Sequence, residues 1–315
     1  MPFISASAMP MAHIFGVGVM ISGINIPKRL VDMGSYAVQL GWFDPERMMQ
    51  LIQEHNCTVM PAVPTMLSFI INHPKVDQYD LSSLKEVICG AAPLPEELAR
   101  SFMSKFDCRI REIYGLTENT GIGSANRRSK PYKPGSAGLA YEGTDLAIFD
   151  SNDKTLPARE LGEIVMQGQA VMKGYHNRPE ETAETLRGGW LHTGDVGYLD
   201  EDGYLFVVDR VKDMILRAGE NIYPAEIEDI IYKYPGVVEV AIIGVPDPIY
   251  GENVVAYVVA GQGMELQGQD IIDHVKQYTS SFKAPSKVYF TDALPKSPIG
   301  KILRRELRNS AIKGD

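Results

Sequence analysis

Several short segments carry residue types able to hold a phosphorylated ligand. Ile113-Tyr114-Gly115-Leu116-Thr117-Glu118 sets a hydroxyl beside a carboxylate where an apolar strand pattern runs into a loop. That pair suits a phosphate oxygen and its Mg²⁺, which favours one or two carboxylates plus phosphate; a polar turn with Thr117 capping and Glu118 solvated reads equally from the same letters. Gly90-Ala91-Ala92-Pro93-Leu94 also follows a strand pattern, and its small residues would admit a flat ring close to backbone or simply make a turn. Trp190-Leu191-His192-Thr193-Gly194-Asp195 ends on an aspartate that reads as held on a tight turn, where a carboxylate can accept both ribose hydroxyls or bond its own backbone. Pro295-Lys296-Ser297-Pro298-Ile299-Gly300-Lys301 presents a lysine before a basic helix, a point charge of the kind that steadies phosphate oxygens. His13, within Pro10-Met11-Ala12-His13-Ile14-Phe15-Gly16, sits among apolar residues and reads as packed when taken alone.

Composition and pattern indicate the scaffold on which these residues sit. The 315 residues carry 31 Lys+Arg against 40 Asp+Glu, a net charge of −9, with 44% apolar residues. That balance argues against nucleic acid or an anionic membrane as the main partner. Cys57, Cys89 and Cys108 form no CxxC pair, which suits a reducing cytoplasm without disulfides or zinc. The apolar stretch from Ile14 to Ile26 is broken by glycines and too short to span a bilayer. Asp44-Pro45 starts a helix through Glu54, Pro64 opens another, and Pro95–Phe106 a third, alternating with strands at Thr58–Met60, Leu84–Cys89 and Arg109–Ile113. Strands alternating with helices predict a parallel sheet. From about Tyr132 short strands at Leu146–Phe149, Glu163–Gln167 and Tyr204–Val208 suggest a small antiparallel barrel or sandwich. After Asp209 a compact α+β unit is expected, with helices over Pro224–Tyr234 and Gln269–Tyr278 and strands over Val237–Val245, Asn253–Val259 and Lys287–Thr291. The expected domains are 1–211, α/β to about 131 and β-barrel beyond, and 212–315. Asp209-Arg210-Val211-Lys212-Asp213 at their junction reads as a wet linker or as a hinge.

In combination and order these segments resemble the adenylate-forming superfamily of acyl-CoA synthetases, peptide-synthetase adenylation domains and luciferases. Pro10–Gly16 is similar to its acyl-pocket motif, Gly90–Leu94 to its adenine-side loop, Tyr114–Glu118 to its YGxTE motif and Thr193-Gly194-Asp195 to its TGD. Gly162-Glu163 through Gly174-Tyr175 matches the GE…GY segment, Asp209–Asp213 with Gly219–Glu228 the hinge and signature, and Pro295–Lys301 the closing lysine motif.

The resemblance implies a large α/β domain with a β-barrel subdomain and a small mobile α+β lid. It implies an ATP-dependent acid–thiol ligase that makes acyl-AMP and passes the acyl group to CoA, with a fatty acid as the expected acid. By the same resemblance Tyr114, Gly115 and the Gly90–Ala92 backbone would flank AMP, Thr117 would contact the α-phosphate and Glu118 would hold Mg²⁺. Asp195 and Arg210 would bind ribose, Lys301 would bridge carboxylate and α-phosphate, Lys212 would be the hinge and Gly219 would line the thiol tunnel. His13 would face the acid. No Ser/Thr/Gly-rich phosphate loop precedes Pro10, so the chain looks like the family's second half. The expectation is impaired adenylation by this chain alone and self-association, or a missing N-terminal half, through an unfinished face. A noncatalytic fragment, a split-ligase subunit and an aryl-acid or carrier-loading adenylation domain are the alternatives. Ala218 stands where relatives often have glycine.

Overall fold

The computed structural model describes residues 2–24, 33–297 and 300–313. The chain divides into two compact units, one of Met1–Leu94 with Ala99–Val207 and one of Pro95–Leu98 with Val208–Asp315.

The first unit is built on a seven-stranded sheet. Strands β1 (Ile4–Ser7), β2 (Tyr36–Gln39), β3 (Val59–Ala62), β4 (Glu86–Cys89) and β5 (Arg109–Tyr114) pair in parallel, while β6 (Ser124–Ala125) and β7 (Leu139–Ala140) join antiparallel, in the order β2-β1-β3-β4-β5-β6-β7. Every residue of β1 and β3 is buried, as expected for parallel strands covered on both faces. β1 and β2 carry no strand signature in the sequence, and α1 (Ile14–Ile24) lies within the glycine-broken apolar stretch that starts at Ile14; Asn25 and Ile26 at that stretch's end lie outside the described residues. At the sheet's edge β2 is largely exposed, and Met33, Tyr36 and Trp42 are exposed around it.

Local chemistry sets the helix ends. Helix α2 (Pro45–His55) starts where the Asp44 carboxylate accepts from the Arg47 N–H at 2.7 Å with Pro45 in the first turn, and it stops at left-handed Asn56. Helix α3 (Pro64–Ile71) also begins on proline, and α4 (Glu96–Phe106) carries Glu96 and Glu97 in its first turn, where carboxylates favour the helix dipole.

The strand-rich middle folds as a four-stranded sheet of order β11-β10-β9-β8, from β8 (Thr144–Phe149), β9 (Gly162–Gly168), β10 (Leu191–Leu199) and β11 (Leu205–Arg210). Alternation gives it two apolar faces. Ile148, Ile164, Met166, Leu191 and Leu205 pack with Tyr114 and Leu116 on one, and Ala147, Phe149 and Val165 pack with Trp190 on the other. A short helix, α5 (Pro179–Thr185), lies between β9 and β10.

The second unit holds a five-stranded sheet in which β12 (Ile215–Arg217), β13 (Glu220–Ile222), β14 (Val237–Asp247) and β15 (Gly251–Ala260) run in the order β13-β12-β15-β14, with β16 (Lys287–Phe290) on β15. Along β14 the side chains of Val240 and Ile242 join Ile227, Ile230 and Ile231 of α6 (Pro224–Tyr232) and Ile271 and Val275 of α7 (Gly268–Tyr278). Ala241 and Ile243 point the other way, packing with Leu294 and with Leu307 of α8 (Arg304–Lys313). A strand buried on both sides reads as a near-continuous apolar run, which is how Val237–Val245 stands in the sequence but for Glu239, itself buried. No helix among the described residues is long and apolar enough to cross a membrane.

Candidate active site

Three loops of the first unit meet beyond the carboxyl ends of its parallel strands, the edge where such sheets bind ligands. β4 ends at Cys89 and β5 at Tyr114, paired in parallel with Cys89 opposite Glu112. Gly90 lies so close to the end of β5 that a Cβ there would stand 2.8 Å from Ile113 Cγ1 and 3.0 Å from its carbonyl oxygen. The following Ala91 is left-handed at φ 70°, so the small residues of this loop answer a close approach.

Beyond Tyr114 the chain curls tightly. Leu116 O accepts from Gly121 N at 2.9 Å and Tyr114 O from Gly123 N at 2.8 Å, and a Cβ on Gly115 would fall 2.3 Å from Gly121 O. Thr117–Asn119 forms a 3₁₀ turn in which the Asn119 side chain, not Thr117, caps the Leu116 N–H at 2.9 Å. Thr117 is exposed and its hydroxyl is not needed by the turn's start. The third loop follows β1: His13 Nδ1 accepts from Phe15 N at 3.2 Å, so the imidazole caps α1. A Cβ on Gly16 would meet Pro10 O at 2.1 Å, and one on Gly121 would meet Ile14 at 3.0 Å. The segment of His13 is thereby packed on the turn that carries Glu118.

Asp195 arrives from the four-stranded sheet. Its surroundings correct the expectation of a tight turn: Thr193-Gly194-Asp195 lies inside the nine-residue strand β10, at a break in register between His192 and Val196. A turn signature inside a strand is a bulge, with Gly194 supplying φ 69°. The bulge brings the Asp195 carboxylate, 7% exposed, to the Tyr114 hydroxyl, which donates to Oδ2 at 2.8 Å. Two groups given no individual role by the sequence also serve here. Glu163 Oε1 accepts from Gly194 N at 2.9 Å, and the Tyr175 hydroxyl donates to Glu118 Oε1 at 2.9 Å. Burial and the Glu118 carboxylate hold the Tyr175 phenol above its ordinary range, which keeps it a donor. Both residues lie in the GE…GY segment, whose sequence signal was position alone.

Glu118 is half-buried, and no cluster of three or more His, Cys, Asp or Glu that could hold a metal occurs among the described residues. A single carboxylate of this kind fits Mg²⁺, which keeps water and would take the rest of its shell from phosphate oxygens.

Arg210, Lys212, Gly219 and Lys301 belong to the second unit. Lys212 is exposed, between the anchored Asp209 and Asp213. The Asp209 carboxylate accepts from Arg210 N at 2.7 Å and from Ala225 N, in the first turn of α6, at 3.0 Å, while Arg308 of α8 pairs with Asp213 at 3.0 Å. Lys301 closes a hairpin-like loop in which Ser297 N donates to Lys301 O at 2.8 Å and Leu303 N to Pro295 O at 2.9 Å. Lys296 anchors that loop on buried Glu239 at 2.7 Å; Pro298 and Ile299 of the motif lie outside the described residues.

Gly219, at φ 87°, faces open space, and Ala218 beside it is left-handed at φ 48°. An alanine costs about 1 kcal/mol in that conformation. Ala218→Gly is therefore expected to stabilise the second unit by about 0.5–1 kcal/mol in urea unfolding, and destabilisation would show the turn is not strained.

Asp209 sets a pH dependence. Burial, opposed by Arg304 and reinforced by Glu228, pushes its carboxyl up to about 6. The folded chain then keeps this proton between about pH 4 and 6 while the unfolded chain has released it, so stability falls as pH rises through that window and levels off above it. Asp209→Asn keeps an acceptor for Ala225 and is uncharged throughout. Its stability relative to the unmodified chain should improve by on the order of 2–3 kcal/mol between pH 4 and 7, read from denaturant midpoints at each pH. A difference that stays flat, or moves the other way, would be the contrary result.

Residues 3–176 match the family described as AMP-binding enzyme, and residues 226–301 match AMP-binding enzyme C-terminal domain. A feruloyl-CoA synthase of an Amycolatopsis species is 41% identical over 302 residues, covering 96% of this chain and 60% of that protein. A long-chain-fatty-acid–CoA ligase of Bacillus subtilis is 38% identical over 300 residues, covering 95% and 52%. Among solved structures, the anthranilate CoA ligase AuaEII with anthranoyl-AMP superposes with a TM-score of 0.89 at 27% identity, over 98% of this chain and 60% of that one. The chain thus spans between half and three fifths of the length of these relatives.

Proposed function

The chain belongs to the AMP-binding enzyme family, and from that premise we propose that it serves an AMP-forming acid–thiol ligase. A carboxylate attacks the α-phosphorus of ATP, pyrophosphate leaves, and the thiol of CoA then attacks the acyl carbon of acyl-AMP to release AMP. Activation is needed because a carboxylate oxygen is a poor leaving group and AMP a good one.

The observation that carries this reading is the meeting of Tyr114 and Asp195 beside the Gly90–Ala92 and Thr117–Glu118 loops at the carboxyl edge of the sheet. Asp195 accepts the ribose hydroxyls, with Arg210 as a second ribose contact. The Tyr114 ring and the backbone of Gly90, Ala91, Ala92 and Gly115 flank adenine. Thr117 donates to the α-phosphate, and Lys301 adds an ammonium as charge grows there. A magnesium ion held by Glu118 would supply charge neutralisation at the phosphates. Gly219 leaves room for the thiol arm, Lys212 flexes between the two half-reactions and His13 faces the acid. A fatty acid is the first reading for that acid. An aryl acid is the second, favoured by the likeness to a feruloyl-CoA synthase.

The 315 residues contain no Ser/Thr/Gly-rich phosphate loop before Pro10, and one such donor is worth roughly 3–4 kcal/mol to a developing charge. On its own this polypeptide is therefore expected to bind AMP and acyl-AMP analogues, seen as a raised thermal midpoint, yet to make almost no acyl-CoA in a ligase assay. Absence of binding would remove the nucleotide reading. Full turnover would remove the expected impairment, and with it the reading as a noncatalytic fragment or split-ligase subunit.

A further inference from the structure

The strand bulge that carries Asp195 has a keeper on the neighbouring strand. β9 and β10 pair normally at Leu191–Met166 and His192–Val165, but Glu163 then pairs with Val196 where Gly194 would stand in unbroken register. β10 therefore carries extra residues at this point, and the Glu163 side chain is inserted into the loop they make. Its Oε1 accepts from the Gly194 N–H at 2.9 Å, and its Oε2 lies 2.8 Å from His192 Nδ1. A carboxylate can only accept, so Nδ1 carries the hydrogen. His192 Nε2 is buried with no hydrogen-bond partner, so moving the proton to Nε2 would give up the Glu163 bond and gain none. Arg187 Nη2, 3.4 Å from Oε2, offsets the charge. The remaining bulge residue is tied to the same strand. Thr193 Oγ1 donates to Ile164 O at 2.6 Å and accepts from Asp195 N at 3.1 Å.

We propose that Glu163 is a positioning residue which, by clamping Gly194 and His192, aims Asp195 and so sets the preference for a ribose bearing its hydroxyls. The inference rests on the nucleotide reading given above. Without Glu163 the buried His192 Nδ1–H and the Gly194 N–H lose their acceptor, a cost that relaxation of the bulge relieves. The carboxylate most sensitive to that relaxation is Asp195, since orientation is what a site of this kind must hold.

The test compares AMP with 2′,3′-dideoxy-AMP by isothermal titration on the unmodified chain, Glu163→Ala and Glu163→Gln. The unmodified chain is expected to prefer AMP by about 10²-fold or more, the worth of the ribose contacts. Glu163→Ala should bring the two ligands to within about twofold by weakening AMP, leaving the dideoxy affinity within about threefold. Glu163→Gln keeps an acceptor for Gly194 and loses the one for His192, so its preference should fall between the two; it decides the matter if the alanine variant does not fold. A purely structural role would lower both affinities together, and an unchanged preference in a folded variant overturns the proposal, as does an unmodified chain that binds both ligands alike. An unmodified chain that binds neither ligand overturns the nucleotide reading itself, and the inference with it.

Discussion

Asp195→Ala is expected to weaken AMP binding by about 10²–10³-fold while the far-UV circular dichroism and the thermal midpoint stay near those of the unmodified chain. The carboxylate is buried, and its Oδ2 already accepts from the Tyr114 hydroxyl at 2.8 Å, so it is held in place before any ligand arrives. A hydrogen bond to a charged acceptor contributes about 1.5–3 kcal/mol. Losing two ribose bonds of that kind, with water recovering part of the loss, gives about 3–4 kcal/mol and hence the range stated. Asp195→Asn keeps one acceptor for Tyr114 and should fall midway. Titration of both variants with AMP checks this. An alanine variant binding within threefold of the unmodified chain would place the ribose elsewhere.

Gly115→Ala should cost about 3 kcal/mol of stability in urea unfolding and abolish measurable AMP binding. The added carbon would sit 2.3 Å from a backbone oxygen, that of Gly121, which cannot swing aside as a side chain could. Making room requires opening the curl closed by Gly121 N to Leu116 O and Gly123 N to Tyr114 O. Those bonds place Tyr114 at one end and Thr117–Glu118 at the turn, so the damage reaches both the residue proposed to flank adenine and those proposed to meet the phosphates. An unfolding midpoint unchanged by the substitution would mean that the loop yields freely.

The elements most legible in the sequence are those whose signals are local. Asp44-Pro45 caps and starts α2, Pro64 and Pro224 open α3 and α6, and the apolar run of Val237–Val245, broken only by Glu239, lies in a strand buried on both faces. Loops at strand ends were visible for the same reason, since Gly90 and Gly115 directly follow or lie just beyond β4 and β5. Strand β1, with Ser5 and Ser7 among its four residues, lacks a clean apolar pattern, and its burial comes from the sheet around it.

Neighbouring letters carry the family motifs, the starts of the main helices and the residues available for chemistry, because each of these is a local signal. Packing in three dimensions makes Thr193-Gly194-Asp195 a bulge within a strand, turns His13 into a helix cap, and sets Glu163 and Tyr175 to hold the groups around them. Tyr114 and Asp195 stand 81 positions apart along the chain. A hydrogen bond between them depends on how two sheets pack, and periodicities of two or 3.6 residues carry no record of that.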